Sequence, residues 1–214
     1  MNQERTFYNR YWNDRHIKVN PFDEHPGEWT RDNFKFHADF FLPYMKGRLL
    51  DYGCGDGQFL NMAKEFSGKV CGVDVSSVAI EKASKAYPEI PFVLLEGDKL
   101  PFAEGSFDTI SVIDVLEHLL DVETALEEMN RVLAPNGCLL IATSELTRLK
   151  MMLISLAFLD KYFFPSSPHI RYFTRKSLAQ ILNKKGFEVV AYKKNRTYFG
   201  FIPQGQLVVA RKKS

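Results

Sequence analysis

The sequence predicts an α/β fold, with layers of helix on both faces of a largely parallel sheet. Three observations predict it. From Gly47 onward, apolar runs of strand length alternate with amphipathic stretches of helix length, as strand–helix–strand units require. The chain has 214 residues, enough for one such domain with extra segments. Its 45% hydrophobic and 25% charged residues are the balance of an ordinary soluble globular protein.

The elements follow in order. Residues 1–46 mix aromatic and charged side chains, broken by Pro21, Pro26 and Gly27, and read as an N-terminal helical or lid segment. Strands are expected at Arg48–Tyr52, Lys69–Val73, Pro91–Leu95, Phe107–Ile113 and Gly137–Thr143. Helices are expected between them at Gly57–Phe66, Val78–Ala86 and Val122–Leu133. Ser76 is placed to cap the second, and Ala125, Met129 and Val132 give the third its helical spacing. Pro135-Asn136-Gly137 then reads as a turn. Glu145 to Pro168 breaks the alternation and reads as an insertion with a helix-like apolar centre. Thr174 begins a helix running to Lys185, with Gly186 as its stop. Strands at Phe187–Lys193 and Gln206–Arg211, with a turn near Asn195, close the fold as an antiparallel pair. No repeat or linker divides the chain.

Composition excludes several classes. A net charge of +2 leaves no strong nucleic-acid footprint, although Lys193, Lys194 and Arg196 form a local basic patch. Cys54, Cys71 and Cys138 show no metal or disulfide spacing and read as buried thiols of a reducing compartment. Met1–Arg15 does not have the make-up of a signal peptide, and the run Met151–Phe164 is interrupted by Asp160 and Lys161 and too short to span a bilayer. The expectation is therefore a cytoplasmic protein without a membrane span.

The chemistry starts at Leu49-Leu50-Asp51-Tyr52-Gly53-Cys54-Gly55-Asp56-Gly57, which follows a strand and opens a helix. Glycine lets the backbone turn tightly and approach a ligand, and the helix start offers unpaired N–H groups. Asp51 would repel a phosphate at short range and suits a cationic ammonium group. The next strand ends at Gly72-Val73-Asp74, where a carboxylate can accept hydrogen bonds from two ribose hydroxyls. Asp98, in Leu95-Glu96-Gly97-Asp98-Lys99-Leu100, is placed to accept from an adenine amino group. Taken singly each acid reads as a turn or capping residue. In this order, at successive strand ends, they describe a ligand with adenine, ribose and an amino-acid tail.

These motifs resemble those of the class I methyltransferases that use S-adenosylmethionine (SAM), nearest to the small-molecule group typified by ubiquinone biosynthesis. LLDYGCGDGQFL resembles the glycine motif, GVDVS the ribose motif, LEGDKLPF the adenine segment, FDTISVIDVLEHL the fourth motif and LAPNGCLLIAT the strand after it. The resemblance covers roughly residues 45–145, and HIRYFTRKSLAQILNKKGFEVV extends it. It implies a three-layer, Rossmann-like seven-stranded sheet whose last strand is antiparallel, with a lid after the fifth strand. It implies that Asp51, Gly53, Gly55 and Gly57 cradle the methionine portion and that Asp74 holds the ribose. Asp98, Lys99 and Leu100 would meet the adenine, and Ile113 and Asp114 would close over the sulfonium. Cys54, Phe59 and Val75 fall among the cofactor-binding positions. One domain over 1–214 is expected, divided into 1–46, a SAM-binding core 47–145, a lid 146–168 and a C-terminal part 169–214.

Methyl transfer needs alignment and exclusion of water, and a base only where the nucleophile carries a tightly held proton. Candidates are His118, Glu117 and His169. On a helix Asp114, Glu117 and His118 would share one face. Together with His169 they would offer two carboxylates and two imidazoles to a divalent metal. This resembles the acid-x-x-Glu-His pattern of small-RNA 2′-O-methyltransferases, with Asp114 in place of their longer Glu. Tyr8, Tyr11, Trp12, Phe158, Tyr162 and Phe163 are expected to wall an apolar acceptor site. The leading reading is O-methylation of a small-molecule acceptor by a monomer or homodimer. An RNA methyltransferase and a non-catalytic SAM-binding protein stay open, and a dinucleotide-binding protein fits the loop poorly.

Overall fold

The computed structural model describes residues 2–13, 31–163, 169–198 and 202–213. Two helices, α1 (Asn2–Asn13) and α2 (Arg31–Phe41), precede the sheet. Strands β1 (Arg48–Tyr52), β2 (Lys69–Asp74), β3 (Phe92–Leu94), β4 (Phe107–Ile113) and β5 (Leu133–Ser144) alternate with α3 (Gln58–Ala63), α4 (Ser77–Ala86) and α5 (Val122–Val132). After β5 come α6 (Arg148–Leu153), a π-helical turn (Ile154–Phe158) and α7 (Leu159–Tyr162). Helix α8 (Arg175–Lys184) leads to β6 (Phe187–Tyr198) and β7 (Ile202–Lys212).

The seven strands form one sheet in the order β3-β2-β1-β4-β5-β7-β6. The first five are parallel, and β7 slots antiparallel between β5 and β6. Successive residues face opposite layers, so Leu49 and Leu50, or Leu139 and Leu140, belong to different cores. One core joins Leu50, Ile110 and Leu139 to α5 and α8 through Leu126, Met129 and Leu178. The other joins Leu49, Leu140 and Leu207 to α2 and α3 through Phe41 and Leu60. Burial on both faces explains why the central strands read as unbroken apolar runs.

Local chemistry sets the boundaries. Ser76 caps α4 by accepting from the Ala79 amide, and Thr174 and Ser177 form a reciprocal capping box at α8. Three expectations shift. Helix α3 starts at Gln58 because Gly57 holds a left-handed φ of 81°. Strand β5 starts at Leu133, and the Pro135-Asn136-Gly137 turn is a bulge within it: Phe107 faces Leu133 while Thr109 faces Cys138. The turn expected near Asn195 is absent. Asn195 pairs with Gly205 inside the ladder, because β6 runs on to Tyr198.

The expected insertion is helical from Arg148 to Tyr162, with Thr147 accepting from the Lys150 amide at its start. Residues 14–30 of the N-terminal segment and 164–168 of the insertion lie outside the described residues. Among the described residues, no helix is long and apolar enough to cross a membrane.

Candidate active site

Strand order reverses at β1, which has β2 on one side and β4 on the other, and its carboxyl end opens the crevice where ligands of such sheets bind. Asp51 is buried there and faces Ser111 across the β1–β4 pair; the Ser111 hydroxyl donates to its carboxylate at 2.7 Å. Burial, reinforced by the charge of Asp74, pushes the Asp51 carboxyl up to about 7 against the pull of that hydrogen bond. Asp74, the last residue of β2, accepts from the Gly55 amide at 3.0 Å and from the Ser76 amide at 2.8 Å. Burial raises its pKa too, and those backbone donors oppose the shift.

The loop between β1 and α3 rests on these acids. The Gly53 and Cys54 amides donate to the Val73 carbonyl at 2.8 and 3.0 Å. Gly53 and Gly55 both hold left-handed φ, 78° and 54°. A Cβ on Gly53 would lie 2.4 Å from Val115, and one on Gly55 would lie 2.6 Å from the Trp12 indole, so both must be glycine for this packing.

Helix α1 roofs the crevice. Arg5 donates to the Leu95 carbonyl at 3.1 Å, beyond β3. The Asn9 side chain accepts from the Ser76 hydroxyl at 2.8 Å, and the Lys82 ammonium donates to the Trp12 carbonyl. Glu4 reaches the Leu120 amide past β4. One helix thus ties together the ends of β3, β2, β1 and β4.

Beyond β4 the chain turns through Asp114, whose φ of 53° is left-handed, into a short 3₁₀ turn, Leu116–His118. The expected shared helix face is therefore not formed, and Asp114 lies outside the group made by its neighbours. Glu117 is 1% exposed; its carboxylate accepts from the Thr143 hydroxyl at 2.8 Å and the Ser144 amide at 3.1 Å. Its carbonyl receives the Ile170 and Arg171 amides, which seats the segment carrying His169. Ligand atoms of Glu117, His118 and His169 converge within 4.8 Å of one another.

From this point a continuous row of rings runs both ways. His118 and His169 lie 4.6 Å apart between centroids, and Tyr8 meets His118 at 6.3 Å. Tyr11 and Trp12 continue the row along α1 at 6.4 and 5.8 Å. On the other side His169 meets Tyr172 at 6.4 Å, and Tyr172 meets Tyr162 and Phe163 at 5.4 and 5.8 Å. Burial, then the negative charge of Asp74, pushes the Tyr8 phenol well above its usual range, so it stays protonated.

The structure gathers most of the expected residues at one mouth and sends others elsewhere. Phe59 and Cys54 lie in the core beneath the loop, and Leu100 is buried in the opposite core. Asp98 and Lys99 are exposed at the rim, and Val75, Ile113 and Asp114 are half-buried at their strand ends. The side chain of Phe158 lies outside the described residues. Sequence reasoning missed Ser111, Thr143 and Asn9. A polar residue inside an otherwise apolar strand was the available signal for the first two; nothing local marks Asn9.

A left-handed glycine loop, two buried acids at adjacent strand tips and an exposed acid at the third fit a ligand carrying ammonium, ribose hydroxyls and adenine. With this strand order, they match the fold and crevice of the class I SAM-dependent methyltransferases. A family model described as a methyltransferase domain matches residues 22–192, and the chain belongs to that family. It is 34% identical to a malonyl-[acyl-carrier protein] O-methyltransferase of Legionella pneumophila over 113 residues, 48% of this chain and 39% of that protein. It is also 34% identical to a demethylmenaquinone methyltransferase of Chlorobaculum parvum over 106 residues, 49% of this chain and 44% of that one. The chain thus matches less than half the length of these relatives. A SAM-dependent methyltransferase of Methanosarcina mazei superposes with a TM-score of 0.61 at 23% identity, covering 78% of this chain and 92% of that one.

Proposed function

We propose that this protein transfers a methyl group from SAM to an oxygen of a small-molecule acceptor seated against the ring row. The observation that carries this reading is the continuity of that row. It leads from Trp12 of α1, packed against Gly55 of the glycine loop, through the paired imidazoles to Phe163 on the insertion. A flat or apolar acceptor can lie along it with a hydroxyl at the histidines.

SAM, when bound, supplies an electrophilic methyl group on a cationic sulfonium. Asp51 would pair with the ammonium group, Asp74 would hold the ribose and Asp98 would meet the adenine. Asp74 already bonds two backbone amides, so ribose hydroxyls would use its remaining lone pairs. Imidazole of His118 or His169 would accept the acceptor's hydroxyl proton as the oxygen attacks. Glu117, held by Thr143 and Ser144, is a positioning residue: it fixes the turn that aims His118. Tyr8, kept neutral, would donate a hydrogen bond and not act as a base. Helix α1 and the insertion would exclude water, within a single domain divided as the sequence suggests.

A second reading keeps the acceptor but replaces the base by a divalent metal at Glu117, His118 and His169, whose convergence favours it. These three donors would leave room for an acceptor oxygen. Asp114 takes no part. The decisive experiment incubates the protein with labelled SAM and a metabolite extract, with and without EDTA, and identifies the product by mass spectrometry. A labelled oxygen ether or ester supports the proposal, and label on nitrogen, carbon or sulfur, or no label, refutes it. Loss of turnover in EDTA with recovery on adding metal selects the metal reading, and no change selects the imidazole base.

A further inference from the structure

One turn of α5 grips the segment between β3 and β4. Glu128 and Arg131 stand three residues apart on α5 and so share a face. Their ion pair is two-pronged: Arg131 Nε donates to Glu128 Oε1 at 2.8 Å, and Nη2 donates to Oε2 at 2.7 Å. Both residues also reach the main chain opposite. Nη2 donates to the Leu100 carbonyl at 3.0 Å, and Nη1 to the Phe102 carbonyl at 2.8 Å. Glu128 Oε2 accepts from the Leu100 amide at 2.9 Å, and the Arg131 carbonyl accepts from the Gly105 amide at 3.1 Å. Leu100 is thereby held at both of its main-chain groups. Its side chain, 3% exposed, is sunk in the core that also contains Met129.

An ion pair along a helix surface does little by itself, and Glu81 with Lys85 on α4 is of that kind, with both side chains exposed. Glu128 is buried, and the pair is aimed at main-chain atoms of a segment without regular structure. Those atoms require partners. The planar fork of arginine serves a carboxylate and two carbonyls at once, which the single ammonium of lysine could not do in this geometry.

The other end of the same segment is tied to the cofactor crevice. The Leu95 amide donates to the Asp74 carbonyl at 2.8 Å, and Arg5 donates to the Leu95 carbonyl. Residues 96–99 bridge these two anchors, and Asp98 and Lys99 are exposed on the bridge. An exposed acid on so short a bridge takes its position from where the bridge is fastened. We infer that the Glu128–Arg131 pair is a positioning device for Asp98, and that it sets the selectivity of the site for a purine bearing an amino group. This rests on the adenine contact proposed above for Asp98. Glu128 and Arg131 act through Leu100, two residues beyond Asp98, and not on the cofactor itself.

The test compares calorimetric affinities for two ligands. One is S-adenosylhomocysteine, the demethylated product; the other is its analogue with hydrogen in place of the adenine amino group. The parent should prefer the amino compound about tenfold, as a hydrogen bond to a carboxylate warrants. Asp98→Ala should abolish that preference. Arg131→Met keeps an apolar stem without the fork. It should cut the preference to about twofold and leave the affinity for the analogue close to the parent's. Added to Asp98→Ala, it should weaken S-adenosylhomocysteine binding by less than about twofold more, because the two residues act as one unit. Glu128→Gln keeps an acceptor for the Leu100 amide but loses the charge that holds the guanidinium. It should show the same pattern at smaller size, and it decides the matter if Arg131→Met does not fold. A role in general stability would lower both affinities alike and would add to the effect of Asp98→Ala. Either result overturns the inference, as does a variant that discriminates like the parent. If Asp98→Ala itself discriminates like the parent, the adenine contact is wrong and this inference falls with it.

Discussion

The two halves of the candidate site are built from different materials. On the cofactor side, contacts are short, polar and local: Asp74 bonds Gly55 and Ser76, Ser111 bonds Asp51, and the loop amides bond Val73. On the proposed acceptor side, rings from α1, the turn after β4, the insertion and the segment after it meet edge to edge. Directional bonds specify one ligand shape. Ring walls specify a shape class, and can change acceptor with small changes in side-chain volume. The comparison predicts that cofactor affinity concentrates in a few acids, while acceptor affinity is spread along the row.

The largest expected break is Asp74→Ala. It removes the support of two backbone amides together with the proposed ribose contact. Calorimetry should show S-adenosylhomocysteine binding weakened at least a hundredfold, roughly 2.8 kcal/mol at about 1.4 kcal/mol per decade. A variant that binds like the parent would end the cofactor reading. Phe163→Ala, in the same assay, should stay within about twofold.

Next in size is the pH dependence of cofactor binding. With its carboxyl near 7, Asp51 is ionised above that pH and neutral below it. The ammonium group needs the ionised form, so affinity should fall by up to tenfold per unit as pH drops below 7. Asp51→Asn should bind more weakly at pH 8 and show a flatter profile. A parent whose affinity is unchanged from pH 8 to pH 5.5 would remove Asp51 from the ammonium contact.

The acceptor side should give smaller, divided effects. Tyr11→Ala or Phe163→Ala should raise the acceptor KM severalfold to tenfold, in line with about 1–2 kcal/mol of ring contact each, and leave the SAM KM within twofold. Equal changes in both constants would show that the row serves the cofactor.

The same contrast decides how much could be read from the chain alone. The strand–helix alternation and the acids at strand ends are local patterns, so the sheet, its antiparallel β7 and the gathering of Asp51 and Asp74 at adjacent strand ends were legible in the sequence. Glycine spacing marked the loop because only a left-handed backbone packs there. Asp114 was misplaced on a helix because nothing local announces that a strand will end in a left-handed residue followed by a 3₁₀ turn. The ring row joins residues more than 150 positions apart, Tyr8 to Tyr172. Tyr11 and Phe163 read only as aromatic residues in segments of unknown address. Asn9 as the partner of Ser76 is a tertiary fact of the same kind.

The smallest expected effect concerns stability without ligand. Asp51 titrates near 3.8 when unfolded and about 7 when folded, so the folded state holds its proton more tightly. Its contribution is fully present below pH 4 and is lost as pH rises through 7; Asp74 is shifted in the same direction. Carboxylates with lowered values, such as Asp108 beside Arg48 and Glu128 beside Arg131, act in the opposite sense but only as pH falls into their own acid range. Between pH 5 and 7.5 the buried acid should therefore dominate the carboxylate part, and the unliganded melting midpoint should drop by a few degrees, at about 2–4 °C per kcal/mol for a chain of this size. Asp51→Asn, with both histidines unchanged, should lose most of that slope. Saturating S-adenosylhomocysteine should reverse it, because its ammonium group favours the ionised acid that folding alone disfavours. A ligand-induced rise in midpoint that is equal at pH 5.5 and pH 7.5 would mean that the buried acid and the cofactor do not meet.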